Sequence, residues 1–134
     1  MIKPAFAFAL ALLAFSACAE AASFIVNVGG NSPPTFAPAT LTIQAGDSVT
    51  FVNKGGLHNV VADDGSFRCA HGCDGQPGGN GGASSSNWVA SLTFNMAGTI
   101  GYFCEIHGAP GEGMFGTIIV QPATPVRLQS FEVD

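Results

Sequence analysis

Apolar and polar residues alternate along most of this chain with a period of two, and the alternation breaks at clusters of Gly, Pro, Asn and Asp. A period of two places every second side chain on one face of an extended strand, so these stretches predict half-buried β-strands. Residues 23–28 put Phe24, Val26 and Val28 on one face. Leu41 and Ile43 mark a second strand, and residues 48–53 a third, with Val49 and Phe51 facing one way. Residues 58–62 open a fourth. Trp88, Ala90, Leu92 and Phe94 share a face in a fifth, residues 99–104 form a sixth, and residues 115–120 a seventh.

Turn chemistry falls between them. Pro33, Pro34 and Pro38 interrupt the first connection, Gly46-Asp47 the next, and Gly55-Gly56 the one after. Residues 63–87 are rich in Gly, Ser and Asp and predict a long loop, pinned in part and mobile in part. Seven short strands with no convincing helix predict an all-β antiparallel sandwich. The one helical-looking apolar stretch is at the N-terminus. The tail over residues 121–134 carries Pro122 and Pro125 and then VRLQSFEV, which fits an edge strand or a frayed end equally well.

The N-terminal stretch changes the domain picture. Lys3 precedes an apolar run over residues 5–15, and Ala19-Glu20-Ala21 fits the small-x-small cleavage rule. The run falls short of the ~18 apolar residues of a membrane span. It reads as an export signal over residues 1–21, leaving a single domain over residues 22–134 in a periplasmic or secreted location. An alternative lipidates Cys18 within Phe15-Ser16-Ala17-Cys18, although Phe15 stands where such signals usually carry Leu.

Charge then excludes a class of partner. Only 10% of the chain is charged, with a net charge of −5, and after residue 21 the basic residues are Lys54, Arg68 and Arg127. No basic cluster is available for nucleic acid. Export places the chain where disulfides persist. Three cysteines follow residue 21, Cys69, Cys73 and Cys104, and an odd count leaves one thiol for other work. Cys69 and Cys73 are expected to pair across Ala70-His71-Gly72 with His71 exposed. The alternative is a second metal site of two thiolates and an imidazole, which five residues hold only tightly.

That leaves Cys104 in GYFCEIHGAPGEGMFG, residues 101–116. This stretch gathers Cys104, His107 and Met114 on a glycine-rich connection between two strands, and His58 starts the apolar run HNVVA. One thiol, two imidazoles and a thioether suit copper moving between its two oxidation states, because Cu(I) prefers soft ligands and Cu(II) binds imidazole. Zinc accepts the same nitrogen and sulfur donors.

GLHNVV, YFCEIHG with GMFGTIIV, and PATLTIQAGDSVTFVN together resemble the plastocyanin/azurin branch of the cupredoxins across most of residues 22–120. The resemblance implies a Greek-key sandwich with one type 1 copper, serving electron transfer with redox partner proteins; a monomer is expected. His58, Cys104 and His107 would be the close ligands, Met114 the axial one, and Asn59 a residue that fastens the ligand loop. Six residues, 108–113, separate His107 from Met114, more than in plastocyanins, and this departure bears on Met114 alone. The competing function is sequestration or delivery of copper without electron shuttling. An enzyme of the copper oxidase or nitrite reductase type needs further histidines, and only His71 remains, so no enzymatic activity is expected.

Overall fold

The computed structural model describes residues 20–124 together with Lys3. Most of the expected export segment, with Cys18, and the tail from residue 125 onward lie outside the described residues. Among the described residues no helix is long and apolar enough to cross a membrane.

Among the described residues, ten strands form two sheets: β1 (Ser23–Gly29), β2 (Phe36–Ala37), β3 (Thr40–Gln44), β4 (Ser48–Gly55), β5 (Val60–Ala62), β6 (Arg68–Ala70), β7 (Gly72–Cys73), β8 (Val89–Thr93), β9 (Gly98–Ala109) and β10 (Glu112–Gln121). One sheet runs β2-β1-β4-β8 and the other β3-β10-β9-β5-β6-β7. The sequence alternation is obeyed on both. Val26, Val28, Val49, Phe51, Trp88 and Ala90 from the first half of the sandwich meet Ile43, Tyr102, Ile118 and Val120 from the second in one buried cluster.

The expected antiparallel sandwich is corrected in one respect: both sheets are mixed. β1 pairs parallel with β4, and β3 pairs parallel with β10. The cause lies in the connections. β3 leaves the sheet of β1 and joins the opposite one before β4 returns, and such a crossover brings strands together in the same direction.

Residues 63–87 hold more structure than their composition suggests. They carry β6 and β7, an isolated bridge between His71 and Asn80, and the far side of another between Ser84 and His58. Cys69 and Cys73 stand opposite each other in register and are disulfide-bonded, as expected, with Cα atoms 4.0 Å apart. The second-metal alternative for these cysteines is therefore not what the fold adopts. His71 is exposed. β5 begins later than expected, at Val60, so that His58 precedes the strand.

The two strands around the ligand stretch are longer than expected and join in a hairpin. β9 and β10 pair from Gly98 with Val120 to Ala109 with Glu112, leaving Pro110-Gly111 as the turn. Proline fixes the first corner, and Gly111 takes the positive φ of 71° that the second corner of a type II turn demands.

Candidate metal centre

The hairpin contains an irregularity that creates the site. Phe103 pairs with Phe115 and Gly108 with Gly113, so Met114 alone stands opposite the four residues from Cys104 to His107. Such a bulge breaks the ladder locally and re-aims side chains. Cys104 keeps the inward face that Tyr102 sets two residues earlier and is completely buried, while beyond it the bulge breaks the alternation and leaves His107 exposed. Met114 is buried across from them. The lengthened connection closes on itself as the hairpin tip, with Gly108 against Gly113, and so returns Met114 to the level of His107.

His58 arrives from the other side, from the turn after β4. Its Nδ1 lies 3.7 Å from Cys104 Sγ, and His107 Nδ1 lies 3.8 Å from the same sulfur. The two rings are 4.8 Å apart between centroids. The donor atoms of His58, Cys104 and His107 all fall within 4.8 Å of one another, the one such group of three among the described residues.

The orientation of His58 is fixed from behind. Its Nε2 donates to the Gly55 carbonyl at 3.0 Å, which places the proton there and leaves the Nδ1 lone pair facing the thiol. Gly29 and Gly56 make this approach feasible, since a Cβ on either would collide with Nε2. The His58 backbone carbonyl accepts from Trp88 Nε1 at 3.1 Å, and its backbone N–H and carbonyl exchange bonds with Ser84. Burial, reinforced by the nearby His107 charge, holds the His58 pKa below the ordinary imidazole value, partly opposed by the Gly55 bond. Burial and His107 thus both favour the neutral ring, the form with a lone pair to donate.

Asn59 is fully buried and fastens the ligand strand. Its Oδ1 accepts from the Glu105 N–H at 3.0 Å, and its Nδ2 donates to Glu105 Oε2 at 2.7 Å and to the Gly81 carbonyl at 3.0 Å. Glu105 and Arg68 were not singled out by sequence reasoning. Arg68 grips the Glu105 carboxylate through Nε and Nη2, the latter at 2.9 Å, and its Nη1 reaches Asp74 at 3.1 Å. Hydrogen bonds from Arg68, then Asn59, hold Glu105 below the usual carboxylate pKa, and the Gly81 amide and Arg68 do the same for Asp74. The available signal was scarcity. An arginine beside Cys69, in a chain with four Lys and Arg in all, invites the question of what it pairs with.

A shallow groove runs along the exposed side of the two imidazoles, bordered by Gly30, Asn31, Pro34 and Leu57. Leu57, Ile106 and Phe115 are exposed apolar residues of the same segments. His71 bonds Ser84 and Ser86 and stands outside the donor cluster.

The donor set fits copper: one buried thiol that a metal would deprotonate, and two imidazoles presenting the same nitrogen to a common point. A family model described as copper binding proteins, plastocyanin/azurin family, matches residues 22–121. The chain is 38% identical over 115 residues to the chloroplastic plastocyanin of Tetradesmus obliquus, covering 84% of this chain and 77% of that protein. It is 34% identical over 120 residues to the plastocyanin of Prochlorothrix hollandica, covering 82% of each. Among solved structures, the oxidized form of plastocyanin from Dryopteris crassirhizoma aligns with a TM-score of 0.52 at 25% identity, over 72% of this chain and 99% of that one. With its fold, its donor cluster and its relatives in agreement, this chain belongs to the plastocyanin/azurin family of copper-binding proteins.

Proposed function

We propose that the protein is an exported one-electron carrier with a single type 1 copper held by His58, Cys104 and His107, with Met114 as the weaker fourth ligand. Bound copper supplies a centre that takes up and gives back one electron between Cu(II) and Cu(I). The observation that carries this reading is the cluster itself: two imidazoles turn Nδ1 toward one buried thiol, 3.7 and 3.8 Å away. His58 is clamped through Gly55 and Trp88, which limits rearrangement when the charge of the centre changes. His107 brings the edge of its ring to the surface, beside Leu57 and the groove, where a redox partner would approach. Residues 1–21 act as the export signal, residues 22–134 form a single domain working as a monomer in the periplasm or outside the cell, and no enzymatic turnover is expected.

The test is addition of Cu(II) to the purified metal-free protein, followed by visible and electron paramagnetic resonance spectroscopy. An intense visible band from thiolate-to-copper charge transfer is expected, and Cys104→Ser should abolish it while weak metal binding through His58 and His107 persists. A serine variant that kept the colour would remove Cys104 from the ligand set. Repeated reduction and reoxidation without copper loss separates a carrier from a sequestering protein, which would pass its metal readily to an acceptor.

A further inference from the structure

The bulge that begins at Cys104 has a cost. Glu105 has no partner on β10, so its backbone N–H is left out of the ladder at the residue following the thiol. Asn59 takes that N–H, and Asn59 is the residue following His58. The connection continues outward into a closed circuit. Asn59 Nδ2 donates to the Gly81 carbonyl, and the Gly81 N–H donates to Asp74 Oδ1 at 2.7 Å. Asp74 Oδ2 accepts from Arg68, and Arg68 returns to Glu105 through a two-pronged contact, Nε to Oε1 at 3.0 Å and Nη2 to Oε2 at 2.9 Å. Glu105 Oε2 closes the ring on Asn59 Nδ2 at 2.7 Å.

The disulfide forms the far end of this circuit. Arg68 precedes Cys69 and Asp74 follows Cys73, and the two cysteines face each other across β6 and β7. The Asp74 N–H also donates to the Arg68 carbonyl at 2.9 Å. The bridge therefore sets the guanidinium and the carboxylate side by side before Arg68 reaches Glu105. A guanidinium is suited to this because its rigid fork fixes direction as well as attraction.

We infer that Arg68 and Glu105 are positioning residues for the Cys104 thiol, and that residues 63–87 supply the clamp that holds the two ligand-bearing segments together. This rests on Cys104 being a ligand, but the clamp has a consequence in the metal-free protein too. Cys104 is fully buried, and a reagent reaches it only when the bulge opens.

The experiment measures alkylation of Cys104 in the folded metal-free protein, followed by mass spectrometry of the peptide that contains it. Glu105→Gln and Arg68→Gln should each accelerate alkylation severalfold, and the double variant should fall short of the product of the two effects, because both break the Arg68–Glu105 contact. Asp74→Asn, at the outer end, should give a smaller acceleration. Loaded with copper, the Glu105 and Arg68 variants should release it to a chelator about tenfold faster, with altered visible band ratios. Wild-type alkylation rates in all these variants, or additive effects in the double one, would overturn the clamp. If Arg68→Gln fails to fold, Arg68→Lys decides: it keeps the charge and loses the fork, and a wild-type rate there counts against the inference. An uncoloured wild-type protein with accelerated thiols in the variants would sink the copper-carrier reading and leave the clamp standing.

Discussion

The two ring nitrogens of His58 have separate tasks, and the backbone assigns them. Nε2 is committed to Gly55, so Nδ1 is the only nitrogen left to face Cys104. Among the described residues no comparable hydrogen bond holds the Met114 side chain, which is placed by the register of the hairpin and by its packing in the core. A thioether is a weak donor to copper, so changing it should tune the centre without removing it. Met114→Leu keeps the buried volume and deletes the sulfur's donation, which stabilises Cu(II) more than Cu(I). The reduction potential should therefore rise while the colour survives. Met114→Gln offers a harder amide oxygen to Cu(II), and the potential should fall. Voltammetry of the two variants checks both signs, and two unmoved potentials would show that Met114 is not a ligand. The chemistry of these side chains was legible in sequence because the Cys-x-x-His spacing and the upstream His-Asn are local patterns. The grip of Arg68 on Glu105 was not, because it joins residues 37 apart in sequence and no local period records it.

At the scale of elements, β9 and β10 carry both the site and a tight piece of core. Tyr102 stands directly opposite Gly116, and its ring packs edge-on against Phe36 at 4.8 Å and Phe51 at 5.3 Å. A Cβ on Gly116 would overlap the Tyr102 ring and hydroxyl. The hydroxyl itself is buried without a hydrogen-bond partner among the described residues, and burial pushes its pKa up. Gly116→Ala should therefore cost about 1–3 kcal/mol through overpacking. Tyr102→Phe removes an unsatisfied group and should be neutral or stabilise by up to about 1 kcal/mol. In the Tyr102→Phe background, Gly116→Ala should cost less than it does alone. Urea unfolding of the three variants measures these values, and a substantial loss in Tyr102→Phe would show that the hydroxyl has a partner after all. Alternation in the sequence identified this inward face correctly. It identified neither the bulge nor the two-residue strands β2 and β7, since a run that short has no period to detect.

For the whole molecule, the sequence specified which faces are buried more fully than which strands are neighbours. Val26 and Val49 could be placed inward from their alternation, but the parallel pairing of their strands depends on the path of β3 across the sandwich. The end of the sandwich away from the hairpin turn has its own fixed point in Asp47. This carboxylate is nearly buried, accepts from the Gln44 N–H at 2.8 Å, and accepts from Ala22 N at 2.8 Å. Ala22 also ties its carbonyl to the Ser48 N–H at 2.9 Å, beside the first β1–β4 pair. If export removes residues 1–21, the atom against Asp47 becomes a charged α-amino group instead of an amide. The carboxylate already strengthens this bond, and a charge on the donor adds direct Coulombic attraction, so cleavage at this point would strengthen the closure of the sandwich. The processed protein is expected to begin at Ala22, as N-terminal sequencing would read. Asp47→Asn should destabilise it by about 1–3 kcal/mol, and by less in a version that retains residues before Ala22. Equal losses in the two forms, or a mature chain starting several residues away, would show that Asp47 only closes the turn between β3 and β4.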